Sequence, residues 1–424
     1  MPLTRRDILL AGTAAMGLGA LRSSRAAASK LTLKISTPIG TYQKMLGELA
    51  KRFSSANPEI AIEFIAKGDN WDPLLQTTLR DGLINDLPDG TWQSLTYAPL
   101  LARRGYAQPL DPVAGGSAAF TELGLSSALM EAVSADGGVH AVPFGTTVPV
   151  IYYNMDLLNR VGYASLTPPS TWEEIIALGV KVAALDRTIN GGFVEYDASN
   201  AWMFQNLIAT FGGRMMKSDL SEIAFDTAEG LRALDVVWRF GEASTVNMTR
   251  EQARQAFNAG TCGILVRSAS GITSVARAAN GRFDLKVGKL PVPAAGGRLV
   301  GAAHGFMMFT KDWERQKGLW AFLRFAAGPE GQMILARQTG YMPVNLMALK
   351  DPTFLNQYLA INPYHRAILE QLVITTDQIS FSSDNAVKIT DMMTELMRQV
   401  LVHRTQPKDA LVTMAEQTRK LLNA

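Results

Sequence analysis

Several short polar stretches in this sequence carry the residue types that hold small hydroxylated molecules. Thr37-Pro38-Ile39-Gly40-Thr41-Tyr42 follows a first apolar β-rich run, and Gly68-Asp69-Asn70-Trp71-Asp72 follows a second. Thr91-Trp92-Gln93-Ser94 falls in a third such region. In open α/β sheets ligands lie beyond the carboxyl ends of strands, which makes Tyr42, Asp69, Trp71, Trp92 and Gln93 candidates. Carboxylates, amides and hydroxyls would bond a ligand's hydroxyls, while aromatic faces would cover its C–H surface. Farther on, Gly145-Thr146-Thr147 breaks the run from Val142 to Asn154, and Thr146 and Thr147 join the candidates. Ser268, Ser270 and Gly271 follow the strand read at Gly263 to Val266 and open a helix at Ile272, so hydroxyls and free backbone N–H groups would point at one place. Gly301, Ala302 and His304 lie on a later strand where small residues admit a ligand close to the backbone.

Local signatures of catalysis are missing. The chain has no His-Glu-x-x-His, no Gly-x-Ser-x-Gly, no Walker loop and no cysteine pair, and His140, His304, His365 and His403 are too scattered to suggest a metal site by spacing. No cofactor or metal is implied, and the protein is not expected to be an enzyme. His140 and the pair Tyr152-Tyr153 read as structural, since successive strand residues face opposite sides. Cys262, the single cysteine, reads as a small buried filler. The rival reading is an enzyme such as a glycosidase or phosphodiesterase with Asp69, Asp72 or Asp384 as acid and base, which needs two carboxylates about 5–10 Å apart across a cleft.

The elements that would position these residues alternate. Leu31 to Ser36 reads as a strand, apolar spacing through Met45, Leu46, Leu49 and Phe53 as a helix, and Ile60 to Ala66 as a second strand after Asn57-Pro58. That βαβ pattern predicts a parallel or mixed sheet covered by helices. Val148 to Tyr153 reads as a strand crossing into a second lobe, ended by Asn154 as a helix cap. Ser170 or Thr171 would cap a helix from Trp172 to Leu185, and further helices are expected near Ala201 to Phe211, Glu229 to Phe240 and Glu251 to Ala259. Leu285 to Val292 and Leu299 to Phe309 read as strands, the latter crossing back, and Asp391 to Val402 and Ala410 to Leu422 as helices.

The N-terminus and charge set the compartment. Thr4-Arg5-Arg6-Asp7-Ile8-Leu9-Leu10 is a twin-arginine start, Ile8 to Leu21 is a short apolar region, and Arg25-Ala26-Ala27-Ala28 offers a cleavage site before Ser29. A run so short and broken by Gly and Thr falls below the roughly 20 apolar residues that span a bilayer. The formal charge of +3 belongs to this leader, where Arg5, Arg6, Arg22 and Arg25 stand against Asp7. A mature chain near neutrality, without basic runs interleaved with aromatics, argues against nucleic acid as a partner.

Pro-Phe-x-x-x-x-Pro-Val-x-Tyr-Tyr-Asn, from Pro143 to Asn154, resembles the family 1 extracellular solute-binding proteins of ABC importers, especially the glycerol-3-phosphate-binding branch. Phe257-Asn258-Ala259-Gly260, Ser268-Ala269-Ser270-Gly271, Gly301-Ala302-Ala303 and Thr339-Gly340-Tyr341-Met342-Pro343 match in family order and span nearly the whole mature chain. The resemblance implies an α/β two-lobe periplasmic binding protein of type II, with the ligand cleft between lobes joined by hinge strands. The expected division is 1–28 leader, 29–143 with 303–347 as the first lobe, and 144–302 with 348–424 as the second. It implies a monomeric periplasmic receptor that captures a small polar ligand and hands it to two permease subunits and an ATPase; a sensory receptor is a third possibility. Trp202 and Tyr341 resemble ligand-reaching aromatics of the branch. The branch also carries an arginine before the final helices, where this chain reads Phe381-Ser382-Ser383-Asp384-Asn385. Asp384 suits hydroxyls or an amine, which favours a sugar, polyol or glycerol-containing diester over a phosphate monoester, although Arg267 beside Ser268 could substitute.

Overall fold

The computed structural model describes residues 30–423 other than 39, 41, 126, 136, 245, 246, 362, 382 and 384. The leader and Asp384 therefore lie outside the described residues.

Two sheets organise the chain. In the first, Leu31–Thr37 lies between the parallel strands Ile60–Ala66 and Gly90–Ser94. Leu299–Met308 then runs antiparallel between Gly90–Ser94 and Ala141–Thr147, with Met342–Pro343 at the far edge. The second sheet has the order Leu285–Lys289, Pro149–Asn154, Cys262–Ser268, Asn190–Val194. Both sheets mix parallel and antiparallel pairs, as the strand–helix–strand pattern predicts.

Each sheet carries its own core. Leu33, Ile35, Leu46, Phe53, Trp92, Phe144, Phe306 and Phe322 belong to one, and Val150, Tyr152, Trp172, Phe193, Phe240, Leu265, Met393 and Met414 to the other. Local sequence explains the elements that build them. The helix Gln43–Ala56 buries Met45, Leu46, Leu49 and Phe53, the spacing of one helical face. The helix Trp172–Ala183 starts where Thr171 Oγ1 accepts from Glu174 N at 3.3 Å, with Glu173 and Glu174 at its positive end. Asn154 caps Met155–Arg160 by accepting from Leu157 N at 3.3 Å.

The chain passages that carry the residues of interest run between the two sheets. Ala141–Thr147 and Pro149–Asn154 are separated only by Val148, so one chain passage leaves the first sheet and enters the second. Leu299–Met308 returns, pairing with Thr375–Asp377 at Leu299 to Gly301 and with Gly90–Ser94 from His304 onward. Tyr152 and Tyr153 are fully buried, their hydroxyls donating to Ser268 O and Pro169 O at 3.1 and 3.0 Å, and His140 contacts the backbone of Ala107 and Ala135. Cys262 is buried and free, and burial pushes its thiol up to about 12.

Candidate ligand-binding site

A cleft of about 310 Å³ opens between the two lobes, within the range of small-molecule sites. Strand ends feed it. Pro38, Gly40 and Tyr42 follow the first strand, Asp69, Asn70 and Trp71 the second, and Ser94 closes the third. Thr147, Ala302 and His304 come from the crossing strands, and Ser268 and Ser270 from the end of Cys262–Ser268.

The first-lobe wall is aromatic. Trp71 and His304 lie ring over ring with centroids 4.1 Å apart, Tyr42 packs 6.2 Å from Trp71 and 5.6 Å from Tyr341, and Trp92 supports all four from beneath. His304 is 4% exposed, burial holds its imidazole down at about 3, and its Nδ1 has no hydrogen-bond partner. It is therefore a neutral ring with an unused nitrogen at the cleft wall.

A chain of hydroxyls crosses the cleft. Thr147 Oγ1 and Ser268 Oγ are 2.9 Å apart, Ser268 Oγ donates to Ser270 Oγ at 2.8 Å, Ser270 Oγ meets Tyr42 OH at 3.2 Å, and Tyr341 OH reaches Tyr42 OH at 3.4 Å. Tyr42 belongs to the first lobe and Ser270 to the second, so their contact spans the opening. The backbone expectation at this turn is corrected: Ser270 N is taken by Thr147 Oγ1 and Ser268 Oγ, both at 3.1 Å. A second bridge lies behind Trp71, where Asp72 accepts from Tyr97 OH and, at 3.0 Å, from Asn200 N of the opposite lobe. Asn200 and Ala201 sit at φ 56° and 49°, left-handed values that tighten the turn ahead of the helix Trp202–Thr210. Trp202 lines the cleft with its indole N–H donating to Val300 O at 2.8 Å.

The second-lobe wall is ionic. Arg254 grips Glu195 with Nε at 2.6 Å and Nη2 at 2.8 Å, and Glu251 with Nη1 at 2.6 Å. Arg267 Nε stands 3.4 Å from the same Glu195, and Arg250 donates to Asp197 O at 3.0 Å with its Nε 3.8 Å from the Asp197 carboxylate. Although Glu195 is 3% exposed and burial alone would raise its pKa, Arg254 and Arg267 hold it down at about 2. Arg267 is a buried member of this wall.

Of the residues singled out from sequence, the structure brings Tyr42, Asp69, Trp71, Thr147, Trp202, Ser268, Ser270, His304 and Tyr341 together along the cleft. Five others lie elsewhere. Thr146 and Gly301 line a separate groove on the far side of the crossing strands, beside Leu95, Leu100, Thr375 and Phe381. The pleat sends Thr147, Ala302 and His304 one way and their neighbours the other, and a Cβ on Gly301 would meet Thr375 Cγ2 at 2.8 Å. Trp92 and Gln93 are fully buried inside a central strand, where Gln93 Oε1 accepts from Ser94 N. Gly271 touches no ligand space; a side chain there would collide with the Arg267 guanidinium, 2.5 Å from its Cβ position.

Sequence reasoning passed over Glu195, Ser199, Arg250 and Arg254. Glu195 to Asn200 follows the strand Asn190–Val194, so the strand-end rule applied to the first lobe also reaches it. Arg250 and Arg254 stand four apart on the helix Arg250–Ala259, which puts them on one face.

Comparisons with known proteins agree with this architecture. The profile of the bacterial extracellular solute-binding protein family matches residues 48–359. The sn-glycerol-3-phosphate-binding periplasmic protein UgpB of Salmonella typhimurium is 23% identical over 409 residues, covering 90% of each chain. Among solved structures, UgpB from Mycobacterium tuberculosis in complex with glycerophosphocholine superposes with a TM-score of 0.77 at 19% identity, covering 93% of this chain and 98% of that one. The ABC substrate-binding protein Lmo0181 from Listeria monocytogenes, in complex with cycloalternan, gives 0.80 at 18% identity, covering 93% and 99%. With a two-lobe fold, a cleft between the lobes and a family profile running through three quarters of its length, this chain belongs to the bacterial extracellular solute-binding proteins.

Proposed function

We propose that the protein is the periplasmic receptor of an ABC importer, closing its lobes on a sugar, a polyol or a glycerol-containing diester and delivering it to membrane permeases driven by an ATPase. The observation that carries this reading is that both lobes contribute to one cleft and already touch across it, at Tyr42 with Ser270 and at Asp72 with Asn200. A ligand seated between aromatic and ionic walls makes contacts that an open form lacks, and that differential binding shifts the population toward closure. The lobes divide at 29–143 with 303–347 and at 144–302 with 348–424, and the crossing strands act as the hinge. Export follows the twin-arginine leader with cleavage after Ala28, and the mature receptor works as a monomer.

The catalytic alternative names Asp69, Asp72 and Asp384. Burial raises the pKa of Asp72, but this residue is engaged with Tyr97 and Asn200 and does not line the cleft. Asp384 lies outside the described residues, and Asp69 alone of the three faces the cleft, where acid and base work needs a pair. The test is thermal unfolding of the leader-free protein, refolded to strip any carried ligand, against maltose, mannitol, glycerophosphocholine and glycerol-3-phosphate. A ligand at 100 times its Kd adds about 2.7 kcal/mol of stability. A shift with the compound recovered intact is expected; conversion of the compound would establish an enzyme instead.

A further inference from the structure

The charge of the cleft bears on which ligand it takes, and this inference rests on the receptor reading above. The described cleft-lining residues include three arginines, Arg250, Arg254 and Arg267, and three carboxylates, Asp69, Glu195 and Glu251. Asp197 stands behind Arg250. Each arginine has a carboxylate within 4 Å, and Arg254 has two. No lysine joins the described lining, and buried His304 is neutral at physiological pH. A ligand therefore enters a site whose positive charge is already offset by nearby carboxylates.

Glu195 is the keystone of that balance. It faces two of the three arginines from the end of Asn190–Val194, and they hold its pKa down at about 2. A phosphate monoester carries between one and two negative charges at pH 7 and needs cations whose charge is not already offset. In this cleft it would have to share guanidinium groups with a buried carboxylate a few ångströms away. His304 Nδ1 and the Nε groups of Arg250 and Arg267 lack hydrogen-bond partners, and all three residues line the cleft, so it is the nearby carboxylates, rather than a shortage of donors, that oppose added negative charge. The neutral nitrogen of His304 suits a ligand hydroxyl, while Trp71 offers an apolar face.

We propose that Glu195 is the specificity-determining residue of this receptor: by bonding Arg254 and standing 3.4 Å from Arg267 it offsets their charge and restricts the cleft to ligands of zero net charge, and its removal converts the cleft to one that takes phosphate monoesters. Neutral sugars, polyols and zwitterionic diesters satisfy the rule, and glycerol-3-phosphate does not.

Isothermal titration of the leader-free protein with maltose, mannitol, glycerophosphocholine and glycerol-3-phosphate tests it. At least one net-neutral compound is expected to bind, with glycerol-3-phosphate at least 100-fold weaker, and Glu195→Gln is expected to raise glycerol-3-phosphate affinity at least tenfold. Should Glu195→Gln not fold, Glu251→Gln at the exposed rim removes charge of the same sign beside Arg254, and a gain of at least threefold is expected. Glycerol-3-phosphate binding to the unaltered protein as tightly as the best neutral compound overturns the proposal, as does a folded variant with unchanged preference. Silence from all four compounds, in the protein and in both variants, instead counts against the receptor reading on which the proposal rests.

Discussion

The two walls of the cleft are built by different rules. The first-lobe wall is made of rings, Tyr42, Trp71, His304 and Tyr341, that touch one another and present faces and a neutral nitrogen. The second-lobe wall is made of charges, Glu195, Glu251, Arg250, Arg254 and Arg267, with Asp197 behind Arg250, each arginine within 4 Å of a carboxylate. Rings gain from covering a ligand's apolar surface whatever its charge, whereas a matched ionic wall rewards hydroxyls and penalises excess charge. Binding strength is thus assigned to one wall and charge selection to the other.

The largest effect should come from breaking the ionic wall. Arg254→Met leaves the buried Glu195 facing Arg267 alone, and loss of one partner from such a pair costs about 3–5 kcal/mol, read as a lower denaturant midpoint. The pH profile gives a second readout. The pKa of Glu195 is depressed in the folded protein, to about 2 from the usual 4.5, so its contribution is complete above pH 4.5 and disappears as pH falls toward 2. Arg254→Met should flatten that acid limb, and an unchanged limb would mean that Arg254 does not hold the carboxylate.

Breaking the aromatic wall should act on the ligand more than on the fold's acid stability. Trp71→Ala removes the ring over His304 and is expected to weaken a net-neutral ligand by about ten- to a hundredfold, or about 1.4–2.7 kcal/mol, in a calorimetric titration. If affinity instead stays within a factor of two, the ring is packing and not a ligand platform.

The bridge between the walls should give a smaller change. Asp72→Asn keeps the shape but weakens the bond from Asn200 N, at a cost of about 1–2 kcal/mol. The ligand-bound protein should then spend more time open, seen as a larger radius of gyration by X-ray scattering. The smallest effect separates the two faces of the crossing strands. Thr146→Val, in the far groove, should leave affinity within about 0.5 kcal/mol, while Thr147→Val, one residue on, should weaken binding measurably. Equal effects would contradict the assignment of faces.

Much of the fold was legible. The strands Leu31–Thr37 and Ile60–Ala66, the caps Asn154 and Thr171, and the helical face of Met45, Leu46, Leu49 and Phe53 all follow from short-range pattern and local hydrogen bonding. Part of the site was also legible, because strand ends point to Tyr42, Asp69 and Trp71 and the segment order points to Ser268 and Ser270. Thr146 and Gly301 were not distinguishable from Thr147 and Ala302 by type. Only the register of Ala141–Thr147 against Leu299–Met308 decides which face lines the cleft, and a one-residue slip would exchange them. Trp92 is a candidate by its place near a strand end, but the central strand Gly90–Ser94 encloses it.

By itself, then, the sequence determined the α/β alternation, the crossing strand after Thr147 and the polar residues at the strand ends, since each depends on neighbours within a few positions. The tertiary structure alone decided that Glu195 meets Arg254, 59 residues away, and Arg267, and that Asp72 meets Asn200 across the opening. Periodicity is a property of adjacent residues. Charge balance in a cleft depends on which distant side chains come within a few ångströms, where low dielectric makes their attraction strong enough to fix a carboxylate's ionisation.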